Sequence, residues 1–391
     1  MFDIFNSKAK RREKLCNALV GAAGRGDWTG VQDALDAGAE IDGRDRDGII
    51  ALHAAAAGGQ VGTVKRLLAA KADIMARDID GHTALHHAAT DGQVDSLRAL
   101  LDGGAEINAA ASDGSTALLR AVQARRFDVA QLLIQKQADV NLSARGRTPL
   151  YAAVEAGQPD MVRLLVQAQA DGARRDTDGV TPLMLAAQQG RTDIVELLLD
   201  GAAAAHAGIN ARDNGNDTAL SRATDHGHYD IVKMLIDKGA SADTTGRDGM
   251  TPLALAAQEG RTDLMRLLFV AGARLDARDD DGDTPLIAAV KNEHYDAVAL
   301  LLDWGADLKP RNNDNEDAIE IARNENSDTD IENLLRKEKN RRTRAPKEGD
   351  VTEEARAALK TQMPAPANTD EPKEAEDKPG NTILSRKQFR L

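Results

Sequence analysis

Aromatic residues are scarce in this chain. Phe, Trp and Tyr make up 3% of its 391 residues, while hydrophobic residues reach 42%. Large rings fill thick globular cores, so this balance points instead to thin layers of Ala, Leu and Val between closely packed helices. Cysteine occurs once, at Cys16. That excludes an intrachain disulfide and a cysteine metal cage, and it favours a reducing compartment, the cytosol. No apolar run approaches the roughly 20 residues of a membrane span. At the start, Met1-Phe-Asp-Ile-Phe5 is followed, not preceded, by the basic residues Lys8, Lys10, Arg11, Arg12 and Lys14, the wrong order for a secretory signal. The net charge is −13; residues 1–14 and 337–391 carry about +3 each, which leaves about −19 between them. Such a surface repels phosphate backbones, so no nucleic-acid partner is expected.

What is present is repetition. Thr251-Pro-Leu-Ala-Leu-Ala-Ala257 recurs in altered form along most of the chain, beginning at Ile50, Thr83, Thr116, Thr148, Thr181, Thr218, Thr251 and Thr284. The intervals are 33, 33, 32, 33, 37, 33 and 33 residues. One further step in each direction reaches Asn17-Ala-Leu-Val-Gly-Ala-Ala23 and Asp317-Ala-Ile-Glu-Ile-Ala322, which reads as ten units. A period of this size means a solenoid, in which each unit packs only on its neighbours.

Within a unit the order is D-x-D-G-x-T-P-L-x-x-A-A, a second segment ending in L-L, and then G-A-D-I-N-A-R-D. Asp78-Ile-Asp-Gly-His-Thr-Ala-Leu-His-His-Ala-Ala89 is a near-complete copy. This pattern resembles the ankyrin repeat over residues 15–336. The resemblance implies an all-α solenoid of helix–turn–helix units with projecting β-turn fingers, curved so that fingers and inner helices form a concave face. It also implies binding of other proteins without catalytic machinery. The expected organisation is a mobile basic arm at 1–14, an array at 15–336 with capping units at both ends, and a disordered charged tail at 337–391.

Local chemistry fits that plan. Thr supplies an N-cap oxygen and the following Pro suits the first helical turn, as at Thr148-Pro149 and Thr284-Pro285. Ile50 has no such oxygen, so its helix is expected to fray; Asn17 is expected to cap the first helix and Trp28 to open the second. Gly38, Gly104, Gly239, Gly272 and Gly305 follow second helices, where a left-handed residue costs glycine nothing. Lys71, Gln137 and Gln169 take that place in other units, at about 1 kcal/mol each. With Arg125 replacing an inter-helix glycine and one residue missing near Ser143, the middle is expected to be weakest. Four extra residues between Asp200 and Ile209 predict a longer second helix or a bulging loop. Asp350-Val-Thr-Glu353 resembles a capping box before a short helix, and Ile383–Leu391 has the character of a short recognition peptide.

Chemical motifs largely dissolve into the repeat. His53 and His86 hold the fourth position of the T-P-L-H motif, and His228 and His294 precede second helices, so structural use is expected and no metal or other cofactor is implied. Asp279-Asp-Asp-Gly-Asp283 resembles an EF-hand loop, but Ala277 and Ala288 fall where two essential carboxylates belong. No G-x-S-x-G, H-E-x-x-H or P-loop occurs, and no enzyme is expected. Arg44, Arg77, Arg175, Arg212, Arg278 and Arg311 recur at one repeat position, either pairing with neighbouring Asp residues or facing a carboxylate-rich partner.

The expected function is that of a monomeric protein-interaction scaffold, adaptor or inhibitor. The partner is placed at the basic and apolar N-terminal fingers, on Arg44, Arg46, Ile49, Arg77, Ile79 and His82. The opposite end carries Asp280, Asp281 and Asp283 at the corresponding tips. The alternative is a secreted bacterial effector that selects a host protein with the array and is exported through residues 337–391.

Overall fold

The computed structural model describes residues 2–200, 208–324, 329–344 and 351–362. They form twenty-one α-helices and no sheet; a lone antiparallel bridge joins Ala144 and Arg147. The helices stand in two rows. The first helices, from Phe2–Arg25 through Ala51–Ala57 and Ala84–Asp91 to Ala318–Asn324, each pack on the next, and the second helices, such as Val61–Ala69, Val94–Asp102 and Tyr295–Asp303, make a parallel row behind them. The layer between is built from Ala and Leu. Ala55, Ala56, Leu67, Leu85, Leu100, Leu133 and Leu165 are all fully buried. A buried Leu contributes about 1.5–3 kcal/mol, and the small Ala side chains let neighbouring first helices approach.

The helix starts follow their cap residues. The hydroxyl oxygens of Thr116, Thr148, Thr181, Thr251 and Thr284 accept from the amide three residues on at 3.2–3.3 Å. At Thr83 and Ile50 a histidine takes over: the ring Nδ1 of His86 accepts the Thr83 amide at 3.2 Å, and that of His53 accepts the Ile50 amide at 3.3 Å. Ile50 is itself fully buried. Asn17 does not cap. It lies exposed inside the helix Phe2–Arg25, so residues expected to form a free arm continue the first helix of the array. Arg12 pairs with Glu40 at 2.5 Å, which ties that extension to the first finger. Trp28 does open the second helix, capped by Asp27, whose carboxylate accepts the Gly30 amide at 2.9 Å.

Left-handed geometry falls where the glycine pattern places it. Gly38, Gly104, Gly239, Gly272 and Gly305 have φ between 91° and 99°, and Lys71, Gln137 and Gln169 adopt φ of 67°, 67° and 60° in their stead. Arg125 is likewise at φ 58°. Ahead of several second helices, one side chain reaches back to the preceding unit. Arg126 Nε donates to the Thr90 carbonyl at 3.0 Å, Gln158 to that of Val122 at 3.0 Å, and the His228 ring to that of Gln188 at 3.1 Å. These clasps close over glycines such as Gly190, where an added Cβ would stand 2.6 Å from the His228 ring.

The C-terminal end departs from the expected boundary. Asp317 replaces Thr as the cap, its carboxylate accepting the Ile319 and Glu320 amides at 3.0 Å each. The last array helix then runs from Thr329 past 336 to Arg344, and a further helix spans Val351–Gln362. Of the segment expected to lack structure from 337, the described residues are 337–344 and 351–362, and these are helical. The second helix before the insertion ends at Leu199. The insertion at 201–207 and the terminal peptide at Ile383–Leu391 lie outside the described residues.

Candidate protein-interaction face

Most fingers are tight turns organised by one side chain. The Asp45 carboxylate accepts the Asp47 and Ile49 amides at 3.0 and 2.8 Å, Asp78 accepts those of Asp80 and His82 at 3.0 and 2.8 Å, and Asp279 accepts those of Asp281 and Asp283 at 3.1 and 2.8 Å. That is the chemistry expected of D-x-D-G: the Asp supplies acceptors and the Gly, φ 74° at Gly48, supplies the reversal. Successive fingers then join by a backbone bond, Ile79 N to Asp47 O at 3.2 Å and Ser112 N to Asp80 O at 3.0 Å. Similar bonds join Asn214 to Asp178, Asp280 to Asp248 and Asn313 to Asp281.

The arginine row has a use that neither sequence reading anticipated. Arg44 donates through Nη1 to the Gly48 carbonyl of its own turn at 3.2 Å and to the Arg77 carbonyl of the next unit. Arg77 repeats this with Gly81 at 2.9 Å and Ala110 at 2.5 Å. Both guanidinium groups staple one finger to its neighbour through carbonyls; they neither pair with the adjacent Asp nor stand free. Arg311, at the last finger, likewise donates to the Asn315 carbonyl of its own turn but is otherwise held by Glu320 at 2.8 and 3.0 Å. Arg175, Arg212 and Arg278 are exposed, and among the described residues no hydrogen bond or ion pair engages their guanidinium groups. The uncommitted cations of the row therefore lie in the middle and C-terminal units.

The other proposed contact residues separate into two kinds. Ile79 projects from its finger tip with 68% of its surface exposed, the most exposed large apolar side chain among the described residues. Arg46 is also exposed, and its Nε donates to Glu13 at 2.7 Å. Ile49 is only half-buried. His82 is largely enclosed: its Nδ1 lies 3.5 Å from the Asp78 carboxylate, and Arg120 donates to its Nε2. The Asp78 carboxylate also accepts from His87 at 2.9 Å. Burial pushes the Asp78 carboxyl upward, but bonds from the His82 amide and the His87 ring outweigh it and hold Asp78 below the usual carboxylate range. Desolvation lowers His53 and His86 to about 4, so both rings are neutral at pH 7. Each has its proton on Nε2, donated to the Ala76 carbonyl at 2.9 Å or the Ser115 carbonyl at 3.0 Å.

The acidic end is less acidic than its tips suggested. Asp280 and Asp281 are exposed, but Asp283 is buried and paired with Lys291 at 2.5 Å. Between the two ends a hollow of about 360 Å³ opens beside the fingers, lined by Gln188, Asp217, Ser221, Arg222, Arg247 and Met250. Arg222, in its lining, is paired with the buried Asp213. Arg120 and Arg222 escaped the sequence reading. Their signal was a polar side chain in the first helix where other units carry Ala or Leu, visible only once the fingers are known to fold over that position.

A family model for ankyrin repeats (3 copies) matches the chain at residues 19–111, 108–176, 169–246 and 240–312. A search of curated proteins finds no match.

Proposed function

The chain belongs to the ankyrin-repeat family, and from that premise we propose that it is a non-catalytic interaction module, a monomeric cytoplasmic scaffold, adaptor or inhibitor that holds a protein partner along its finger edge and first helices. Ankyrin repeats generally mediate protein–protein interaction. No helix among the described residues is long and apolar enough to cross a membrane. The observation that carries the placement is Ile79, an apolar side chain 68% exposed on a finger fixed from both sides. Arg44 ties the preceding finger to the Arg77 carbonyl, and Arg77 ties this finger to Ala110. A protruding apolar group on a pre-ordered turn loses little entropy when a partner covers it, and the exposed Arg46 nearby supplies direction.

Arg44, Ile49, Arg77 and His82 then act by holding the tip in place, and Ile79 and Arg46 make the contact. Affinity capture from a lysate of cells that express the protein, read by mass spectrometry, tests this. The Arg46→Glu, Ile79→Asp double variant should lose at least tenfold in captured partner, about 1.4 kcal/mol, with an unchanged melting temperature. Undiminished capture by the folded variant would move the site to the free arginines of the middle units. Reversing Arg44 or Arg77 would not be a clean test, since each loses carbonyl bonds between fingers and should lower stability as well. The effector reading requires export that depends on residues 337–391. Bonds from Arg342 and Arg356 to the array make that segment part of the fold over its described portion, which favours the scaffold reading.

A further inference from the structure

The two C-terminal helices use one device twice, on consecutive units. In Thr329–Arg344, Arg342 donates to the carbonyls of Leu302 at 3.0 Å and Ala306 at 2.7 Å, at the end of the second helix Tyr295–Asp303. In Val351–Gln362, Arg356 donates to the carbonyls of Phe269 at 2.8 Å and Ala273 at 3.2 Å, at the end of the second helix Thr262–Val270. The two acceptor pairs are one repeat apart. Each guanidinium is also gripped by an acid one turn earlier on its own helix, Glu338 at 2.7 Å and Glu353 at 2.5 Å. The chain thus doubles back over its outer face, away from the fingers, moving one unit towards the N-terminus between the two arginines.

The second of these seats is furnished for its occupant. Phe269 and Trp304 stack at 4.3 Å between centroids, 6° from parallel, and the Arg356 guanidinium lies 4.8 Å above the Phe269 ring. Ala355 and Leu359 pack against the array core on the same side. A helix end leaves carbonyls without intrahelical partners, and a cation there is favoured by the helix dipole as well as by the bonds. The planar fork of Arg spans two carbonyls, as the point charge of Lys does not.

We propose that the outer face of this array is a second docking surface, distinct from the finger edge, and that residues 351–362 are its occupant in cis: a detachable strap anchored by Arg356 on the Phe269–Ala273 carbonyls. The array fold does not require the strap. At the corresponding seat one unit earlier, Ile236 and Ala240, no side chain among the described residues donates to either carbonyl, and that unit packs all the same. Tethering supplies a high local concentration, so a modest contact is filled in cis and opens when the anchor is weakened.

Hydrogen exchange on the full chain tests the strap. Arg356→Gln should raise amide exchange across 351–362 at least tenfold and speed exchange at the end of Thr262–Val270, while residues 51–102 stay unchanged. Arg356→Lys should give nearly the same result, because charge alone does not replace the fork; this variant also serves if the Gln variant misfolds. A labelled peptide of residues 351–362 should bind the Arg356→Gln chain, whose seat is vacated, at least tenfold more tightly than the native chain. Unchanged exchange in both variants, absence of protection at 351–362 in the native chain, or equal peptide binding to both chains would each overturn the proposal.

Discussion

Two neighbouring stretches of the array, 50–115 and 116–180, have equally buried helices and very different fingers. Leu67 and Leu100 in the first are as fully enclosed as Leu133 and Leu165 in the second. On the finger side, the first stretch has backbone bonds at Ile79 and Ser112, staples from Arg77 and from Arg44 just before it, and histidine bridges from His53 and His86. The second has a shortened turn, Ala144 to Arg147, with Arg145 at φ 51° and no finger-to-finger backbone bond on either side among the described residues. Its second helices Phe127–Gln135 and Pro159–Gln167 also meet more sparsely than most neighbouring pairs. Helix packing and finger stacking are thus separable sources of cohesion. The apolar pattern secures the first, while the second depends on a few polar residues that one deletion can remove.

Acid should invert this comparison, and its effect is the largest expected. His53 and His86 have folded values near 4, below the 6.5 of a free imidazole, so the fold favours their neutral forms. That contribution is fully present above about pH 6.5 and is lost as pH falls towards 4, at up to about 3 kcal/mol for each ring. Residues 116–180 contain no histidine. Urea unfolding followed by local probes should therefore show the first stretch outlasting the second at pH 7 and failing before it near pH 4. His86→Asn should flatten the pH dependence of the first stretch, whereas a slope unchanged by this substitution would show that acid acts elsewhere.

At neutral pH, native-state hydrogen exchange should be at least tenfold faster over 116–175 than over 218–300, a difference of about 1.4 kcal/mol in local opening. Equal protection would mean that finger bonds add little to what the helices already supply. A smaller effect is expected from Gln169→Gly. Gln169 sits at φ 60°, and the glycines at Gly104, Gly239 and Gly272 have nothing within 4 Å of a Cβ position, so backbone strain alone decides the exchange. The gain should be a few tenths to 1 kcal/mol, read as a higher melting temperature. A lower one would show that the Gln side chain contributes a contact that outweighs the strain.

Much of this architecture was legible in the sequence because it repeats. The helix pairs, the Thr caps and the left-handed positions at Gly38, Lys71 and Gln137 follow from local rules that each unit obeys independently. Partners chosen across units were not legible. Arg44 and Arg77 looked like a charged row facing outwards because their acceptors are carbonyls 33 residues away, which no side-chain pattern reveals. His82 read as a tip residue, although Arg120, 38 residues later, encloses it. Asp283 read as a surface acid, although Lys291 turns back to meet it. At Asn17 the error was local: helix N-cap chemistry was assigned to a residue whose helix had already begun at Phe2.

The choice of carbonyls as arginine acceptors also sets how the array responds to ionic strength. An ion pair on the surface weakens as counterions gather, over a Debye length of about 8 Å at physiological salt. Arg44 and Arg77 bond to neutral groups, so their staples lose little in that atmosphere. The self-repulsion that comes with a net charge of about −19 on residues 15–336 is screened at the same time. Added salt therefore relieves the strain along this elongated acidic chain while leaving the joints between its N-terminal fingers intact, and the array should stiffen where many electrostatically stapled assemblies would loosen.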